Sequence, residues 1–403
     1  MPDTATPTLL ANDDTFRALL ERAFSVGEIS LDCEFHTERR YRPTLYLVQL
    51  NVAGELVAVD PRRVDLRPLR EVLESSSVQK IFHAGREDLR LLVAATDATD
   101  VNEALDTQVA AAFLGHGPSV GYAKLVKDVL DVDLDKSNQY TDWSGQLTAD
   151  QIEYALNDVR HLPELGTLLR AELAERGRLD WALQACRAAT VRALANPDPR
   201  RLYRRISGAA KLNSVELGIL RELAIWRDEI ASAENSPPES IASDAALKQL
   251  ACRPPSKDAG LRGMRGVGAG ASRRYWAAFE EAVARGRAEP EPVLTFGTDA
   301  RVEAIVALLG AVRRVASIDH DIAGEMLAST AELRSLVEWH LAGKPASEET
   351  PELLVDWRNA LIGKLLAETL EGNVAVKVAA SSASGLEVRA LPRELAVTTS
   401  AVE

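Results

Sequence analysis

Ile29-Ser30-Leu31-Asp32-Cys33-Glu34 is the stretch whose reading decides the fold. Its composition is that of a buried β-strand. In a strand successive side chains point to opposite faces, so Asp32 and Glu34 project together on one side. Two like charges there repel, and neither belongs in an apolar interior unless it is paired, protonated or bound to a metal. Carboxylate oxygens are hard ligands of the kind Mg²⁺ and Mn²⁺ take, whereas zinc more often calls on His or Cys. By itself Asp-x-Glu also fits an edge strand with one solvated face.

Working outward, residues 14–24 read as a helix with Phe16, Leu19, Leu20 and Ala23 on one face. Residues 45–52 and 55–59 read as strands joined by Ala53-Gly54, a hairpin signal. Residues 66–73 read as a helix, and 78–82 as an apolar strand ending at His83-Ala84-Gly85. A meander of strands followed by strands alternating with helices argues for an α/β fold with a mixed sheet. Residues 103–115 are rich in Ala and Leu and close on Gly115, which predicts a helix. A loop is expected around Thr141-Asp142-Trp143, followed by a helix over 149–174 broken near Pro163. Asn196-Pro197-Asp198-Pro199 marks a linker. Beyond it, several short helices form a small all-α region, and a similar, more acidic plan recurs further on. The domains expected are 1–195 α/β, 196–212 a basic linker, 213–290 and 291–375 two helical copies, and 376–403 a loose tail.

A chain of 403 residues is too long for one ordinary core, and its 46% hydrophobic content suits globular domains. The N-terminus has no basic start followed by an apolar run, and no stretch has the length of a membrane span. A cytoplasmic protein is expected. Cys33, Cys186 and Cys252 are few and far apart, which fits reduced thiols and excludes a paired-Cys zinc module. The net charge of -13 weighs against nucleic acid as a partner, but the middle of the chain is basic. Arg187, Arg192, Arg200, Arg201, Arg204, Arg205 and Lys211 stand against Asp198 alone, and a second basic run extends from Arg253 to Arg287. That pattern fits either a nucleic-acid track or a solvated Arg-rich surface.

Two further carboxylates complete a set. Asp88, in His83-Ala84-Gly85-Arg86-Glu87-Asp88, falls in the first turn of a helix at a strand end, where α/β sheets bind ligands. Tyr154 and Asp158 lie one helical turn apart on one face. Asp32, Glu34 and Asp158 could hold one divalent ion, and Asp32 with Asp88 a second, the arrangement that serves in-line phosphoryl displacement. Tyrosine, with an ordinary pKa near 10, suits orienting the attacking water better than deprotonating it.

These motifs, in this order, resemble the three exonuclease motifs of the ribonuclease D family, in the DEDDy branch of 3′–5′ exonucleases. The resemblance takes in Asp106-Thr107-Gln108, Ala111-Ala112-Phe113-Leu114-Gly115 and Thr141-Asp142-Trp143-Ser144. Residues near 210–290, with Trp226-Arg227 and Asp244, look like an HRDC domain, and 299–372 like a second, weaker copy. The resemblance implies a ribonuclease H-like α/β exonuclease domain with a mixed sheet, followed by two small all-α HRDC-like domains. It implies Asp32, Glu34, Asp88 and Asp158 as metal ligands and Tyr154 as the water-positioning residue. Phe35, just after the second acid, would face the terminal base or pack in the core. His83 would be a locally bonded loop residue near the substrate, Gln108 a substrate contact or the cap of its own helix, and Arg273 and Arg274 phosphate contacts. Ser144-Gly145-Gln146 departs from the family, where an Arg-Pro pair is frequent. The expected activity is a Mg²⁺- or Mn²⁺-dependent 3′–5′ exoribonuclease acting on tRNA precursors and small structured RNAs, as a monomer. The alternatives are a DNA 3′–5′ exonuclease of repair and an inactive nucleic-acid-binding scaffold.

Overall fold

The structure is a computed structural model that describes residues 8–10, 12–37, 39–134, 142–196, 198–255, 261, 265–267, 275–292, 299–344 and 350–391. Its described residues fall into two compact units. One lies within Met1–Glu34, Tyr46–Leu194 and Thr298–Glu403, the other within Phe35–Leu45 and Ala195–Gly297.

The first unit is built on a six-stranded mixed sheet. Its strands are β1 (Thr8–Leu10), β2 (Glu28–His36), β3 (Thr44–Val52), β4 (Glu55–Val59), β5 (Gln79–Phe82) and β6 (Ala104–Asp106). The order across the sheet is β1-β4-β3-β2-β5-β6, with β3 antiparallel to β4 and the pairs β1–β4, β2–β5 and β5–β6 parallel. β2 is therefore an interior strand, which removes the edge-strand reading of its two acids. Ala53 and Gly54 both take positive φ, 51° and 85°, the geometry a two-residue hairpin needs to match strand twist.

Helices follow where their signals stand. In α1 (Asp13–Val26) the Asn12 side chain accepts the Thr15 amide, and Gly27 at φ 78° ends the helix. The next are α2 (Leu69–Glu74), α3 (Arg86–Thr96), α4 (Thr107–Ala112), α5 (Tyr122–Leu130), α6 (Ala149–Arg160), α7 (Leu162–Glu175) and α8 (Leu179–Leu194). α6 opens with a capping box between Thr148 and Gln151. The helix predicted over 103–115 is corrected at its start: Ala104–Asp106 is a strand. Helical propensity is a weak prior there, and pairing of Lys80, Ile81 and Phe82 with Ala104, Leu105 and Asp106 outweighs it.

The C-terminal helices, chiefly Ala300–His320, Thr330–Leu341 and Lys364–Leu370, belong to this same unit. Leu105, Phe113 and Leu114 share one core with Val306, Leu309, Leu333 and Ile362. The Ala111–Gly115 motif is the seam. The Ala323 amide donates to the Ala112 carbonyl, and Arg178 donates to the carbonyls of Phe113, His320 and Asp321 at 2.8, 2.6 and 3.2 Å. Gly115 sits at φ 88°, and a Cβ there would lie 2.1 Å from an Asp321 carboxylate oxygen. Arg178→Ala would leave three carbonyls short of a cationic donor, an expected loss of about 2–4 kcal/mol by urea denaturation. An unchanged midpoint would mean that the seam is held by apolar packing alone. The loose tail expected from 376 is, in its first part, a hairpin of β7 (Val374–Val378) and β8 (Leu386–Ala390), with Val376 and Val388 packed on this core. Apolar residues at alternate positions were the overlooked signal.

The second unit centres on the helix Ser214–Glu234, with Pro238–Ile241, Asp244–Cys252 and Trp276–Ala288 around it. Trp226, Phe279 and Leu247 are buried in its core. The basic linker expected over 196–212 also carries apolar anchors: Tyr203, Ile206, Ala209 and Leu212 are buried in that core, with Pro199–Arg205 in a 3₁₀ turn. Within this unit the Tyr41 hydroxyl donates to Asp228, and the Arg42 amide to Asn235.

Candidate functional site

Along β2, Ile29, Leu31 and Cys33 are buried on one face, while Asp32 and Glu34 alternate with them on the other. Across the sheet, α6 delivers Asp158. Two side chains fix that end of α6: Asn51 donates to the carbonyls of Val159 and Arg160, and the Tyr122 hydroxyl donates to the Asn157 carbonyl at 3.1 Å while accepting the His161 amide. The result is a cluster in which Asp32, Glu34 and Asp158 each place a carboxylate oxygen within 4.8 Å of the others. Asp88, in the first turn of α3, is 8% exposed and is the charge that acts most strongly on Asp32.

The electrostatics follow from burial and crowding. Burial, then repulsion from Asp88, Asp158 and Glu34, holds Asp32 well above the ordinary carboxylate range. Glu34 is pushed up to about 8 by burial and by Asp158 and Asp88. Burial likewise raises Asp88 to about 7 and Asp158 to about 6. Such a site strongly favours a cation. Its donors are all hard oxygens, with no His among the clustered residues, so the set fits Mg²⁺ or Mn²⁺ and not a zinc centre.

Tyr154 lies one turn before Asp158 on α6, half-buried, with its ring on the cluster formed by Leu47, Trp143 and Ile152. Phe35 is half-buried and groups with the second unit, although it follows Glu34 directly on β2. His83 is committed to the framework. Burial lowers its pKa, and the neutral ring donates from Nε2 to the Val120 carbonyl at 3.0 Å and meets the Thr107 hydroxyl at Nδ1, 2.9 Å away. Gln108 does not cap its helix: Asp106 does, and the Gln108 side chain donates to the Val120 carbonyl. Arg273 and Arg274 lie outside the described residues, as does Thr141 in the loop ahead of α6. Tyr122 and Asn51 escaped the sequence reading, since neither sits in a recognisable motif and only the fold brings them to α6.

The basic middle is partly spent on ion pairs. Arg187 pairs with Asp100, Arg200 with Glu289, Arg227 with Asp244, and Arg221 and Arg285 with Glu222. Arg205, Lys211, Arg253, Arg265 and Arg287 are exposed and form no ion pair among the described residues.

Three family models match along the chain: a 3′–5′ exonuclease over 7–174, an HRDC domain over 216–283 and the C-terminal HRDC domain of ribonuclease D over 303–366. Ribonuclease D of Gluconacetobacter diazotrophicus is 32% identical over 96% of this chain and 97% of its own length. The chain belongs to the ribonuclease D family. The Escherichia coli ribonuclease D sequence is 32% identical over 90% of this chain and 96% of its own. The crystal structure of E. coli ribonuclease D, described as an exoribonuclease involved in structured RNA processing, superposes with a TM-score of 0.79 at 30% identity, covering 91% of this chain and 99% of that one. The catalytic core of RRP6 from Trypanosoma brucei shares the fold, with a TM-score of 0.53 at 24% identity. The architecture is thus that of ribonuclease D: an exonuclease domain on a mixed sheet, then helical HRDC domains. Among the described residues, no helix is long and apolar enough to cross a membrane.

Proposed function

We propose that this chain, a 3′–5′ exoribonuclease, removes nucleotides one at a time from the 3′ ends of tRNA precursors and other small structured RNAs, releasing 5′-monophosphates. The observation that carries the reading is the convergence of Asp32, Glu34 and Asp158 from an interior strand and a helix, with Asp88 acting on Asp32. Asp32, Glu34 and Asp158 would hold one divalent ion, and Asp32 with Asp88 a second, with Mg²⁺ and Mn²⁺ both suited to the oxygens. Bound there, such ions supply charge neutralisation at the scissile phosphate and a more acidic water. The chain's own part is positional. β2 sets the spacing of Asp32 and Glu34, α6 carries Asp158 with Tyr154 one turn away, and Tyr154 orients the attacking water. Phe35 supports the terminal base through its ring.

Arg205, Lys211, Arg253, Arg265 and Arg287 guide the RNA body through phosphate contacts, with Arg273 and Arg274 as further candidates, so affinity falls as salt rises. We place the work in the cytoplasm, where the three cysteines, none of them in a disulfide, keep their thiols, and assign a monomer. The test is digestion of a tRNA carrying a 3′ extension, with Mg²⁺, Mn²⁺ or EDTA, beside DNA of the same sequence. A single-nucleotide ladder on RNA that EDTA abolishes is expected. Equal digestion of the DNA would turn the reading toward a repair exonuclease.

A further inference from the structure

We infer that Asp106 is a positioning residue for catalysis: its carboxylate clamps the turn between β5 and α3 and thereby sets where Asp88 stands. Asp106 ends β6, parallel to β5 and paired with Phe82. Its Oδ1 accepts the Ala84 amide at 3.0 Å and its Oδ2 accepts the Gly85 amide at 3.1 Å. The same Oδ1 accepts the Gln108 amide at 2.9 Å, which starts α4. One carboxylate therefore joins the N-termini of two helices.

The turn needs such a clamp. Ala84 sits at φ 54°, a left-handed conformation that costs a residue with a Cβ about 1 kcal/mol or more. Gly85 has no side chain, and a Cβ there would lie 2.6 Å from Cβ of Phe82, so the backbone passes tightly over β5. Gly85, the cap of α3, contributes no side-chain hydrogen bond. A cavity lined by Phe82, Arg86, Leu89, Asp106 and Cys186 adjoins the turn, so close packing does not hold that side. The neighbouring residues extend the clamp: the Thr107 hydroxyl reaches the Phe82 carbonyl and the His83 ring, and Gln108 and His83 both donate to Val120. Asp88 follows Gly85 by three residues, within the first turn of α3, so a shift of the turn moves its carboxylate directly.

The inference rests on the metal-ligand reading of Asp88, and the variants separate the two. Asp106→Ser keeps a helix-capping hydroxyl for α4 but cannot reach both Ala84 and Gly85. Asp106→Asn keeps the Oδ1 acceptor for Ala84 and Gln108 and loses only the bond to Gly85. Asp88→Asn is the control for the ligand itself. With the intact chain, the readouts are steady-state hydrolysis of the 3′-extended tRNA, Mn²⁺ affinity by titration calorimetry, and hydrogen exchange of the Ala84 and Gly85 amides. Asp106→Ser is expected to lower kcat on the order of 10–100-fold with KM for RNA unchanged, to weaken Mn²⁺ binding and to speed exchange at both amides. Asp106→Asn should fall between it and wild type. Wild-type kcat and Mn²⁺ affinity in Asp106→Ser, with Asp88→Asn inactive, would overturn the positioning role while leaving the site reading intact. Full activity in Asp88→Asn would overturn the site reading itself. If Asp106→Ser does not fold, Asp106→Asn decides: faster exchange at Gly85 with undiminished Mn²⁺ affinity and kcat overturns the role, and a fall in both supports it.

Discussion

Asp32→Asn is expected to slow removal of RNA 3′ nucleotides by on the order of 1,000-fold or more while making the cation-free protein more stable. The rate loss follows from its place in the site. Asp32 is the one acid that the proposed arrangement assigns to both cations, and each such ion is worth several kcal/mol of transition-state stabilisation. The gain in stability has the opposite origin. Asp32 is half-buried, desolvated by its surroundings and repelled by Asp88, Asp158 and Glu34, so a neutral amide of the same shape relieves a repulsion that the folded chain otherwise carries. Single-turnover digestion and thermal melting in EDTA measure the two effects. A variant that is inactive because it is unfolded would melt lower, and a variant that stays active would remove Asp32 from the machinery.

The second large effect is on pH and cations together. Unfolded carboxylates titrate near 4, whereas Glu34, Asp88 and Asp158 titrate near 8, 7 and 6 in the folded, cation-free site. Between about pH 4 and 8 the folded chain therefore binds more protons at this site than the unfolded chain does. The site's contribution to stability falls as pH rises through that window. In EDTA, the advantage of Asp32→Asn over wild type should be larger at pH 8 than at pH 5.5. Added Mg²⁺ should reverse the loss in the wild type, by about 2.7 kcal/mol at a hundred times its dissociation constant. Because the cation displaces protons, its affinity should fall between pH 8 and pH 6, with proton release visible by calorimetry in buffers of different ionisation enthalpy. A cation affinity independent of pH would mean that the acids are already ionised without it.

Much of the site is legible in the chain because local periodicity places it. The two-residue period of β2 puts Asp32 and Glu34 on one face, and the turn of α6 puts Tyr154 four residues before Asp158, whatever the rest of the fold does. His83-Ala84-Gly85 marks a strand end for the same local reason. The failures are of one kind. Ala104–Asp106 reads as helix because Ala and Leu favour it, and becomes strand because β5 offers a partner. Gln108 looks like a cap, and Asp106 is the cap. The basic middle counts as a charged surface until Asp100, Glu289, Asp244 and Glu222 come across to pair with Arg187, Arg200, Arg227, Arg221 and Arg285.

The sequence by itself determined the α/β class, the interleaving of acids with apolar residues on the central strand, and the order of carboxylates that marks the family, because each depends on neighbours within one or two turns. Only the tertiary structure decided that β2 is interior, that Asn51 and Tyr122 hold the end of α6, that Asp106 ties β5 to α3, and that the C-terminal helices share the core of the catalytic unit. Those are contacts between segments far apart in the chain, and no local period encodes which distant carbonyl, amide or charge a side chain will meet once the chain has closed.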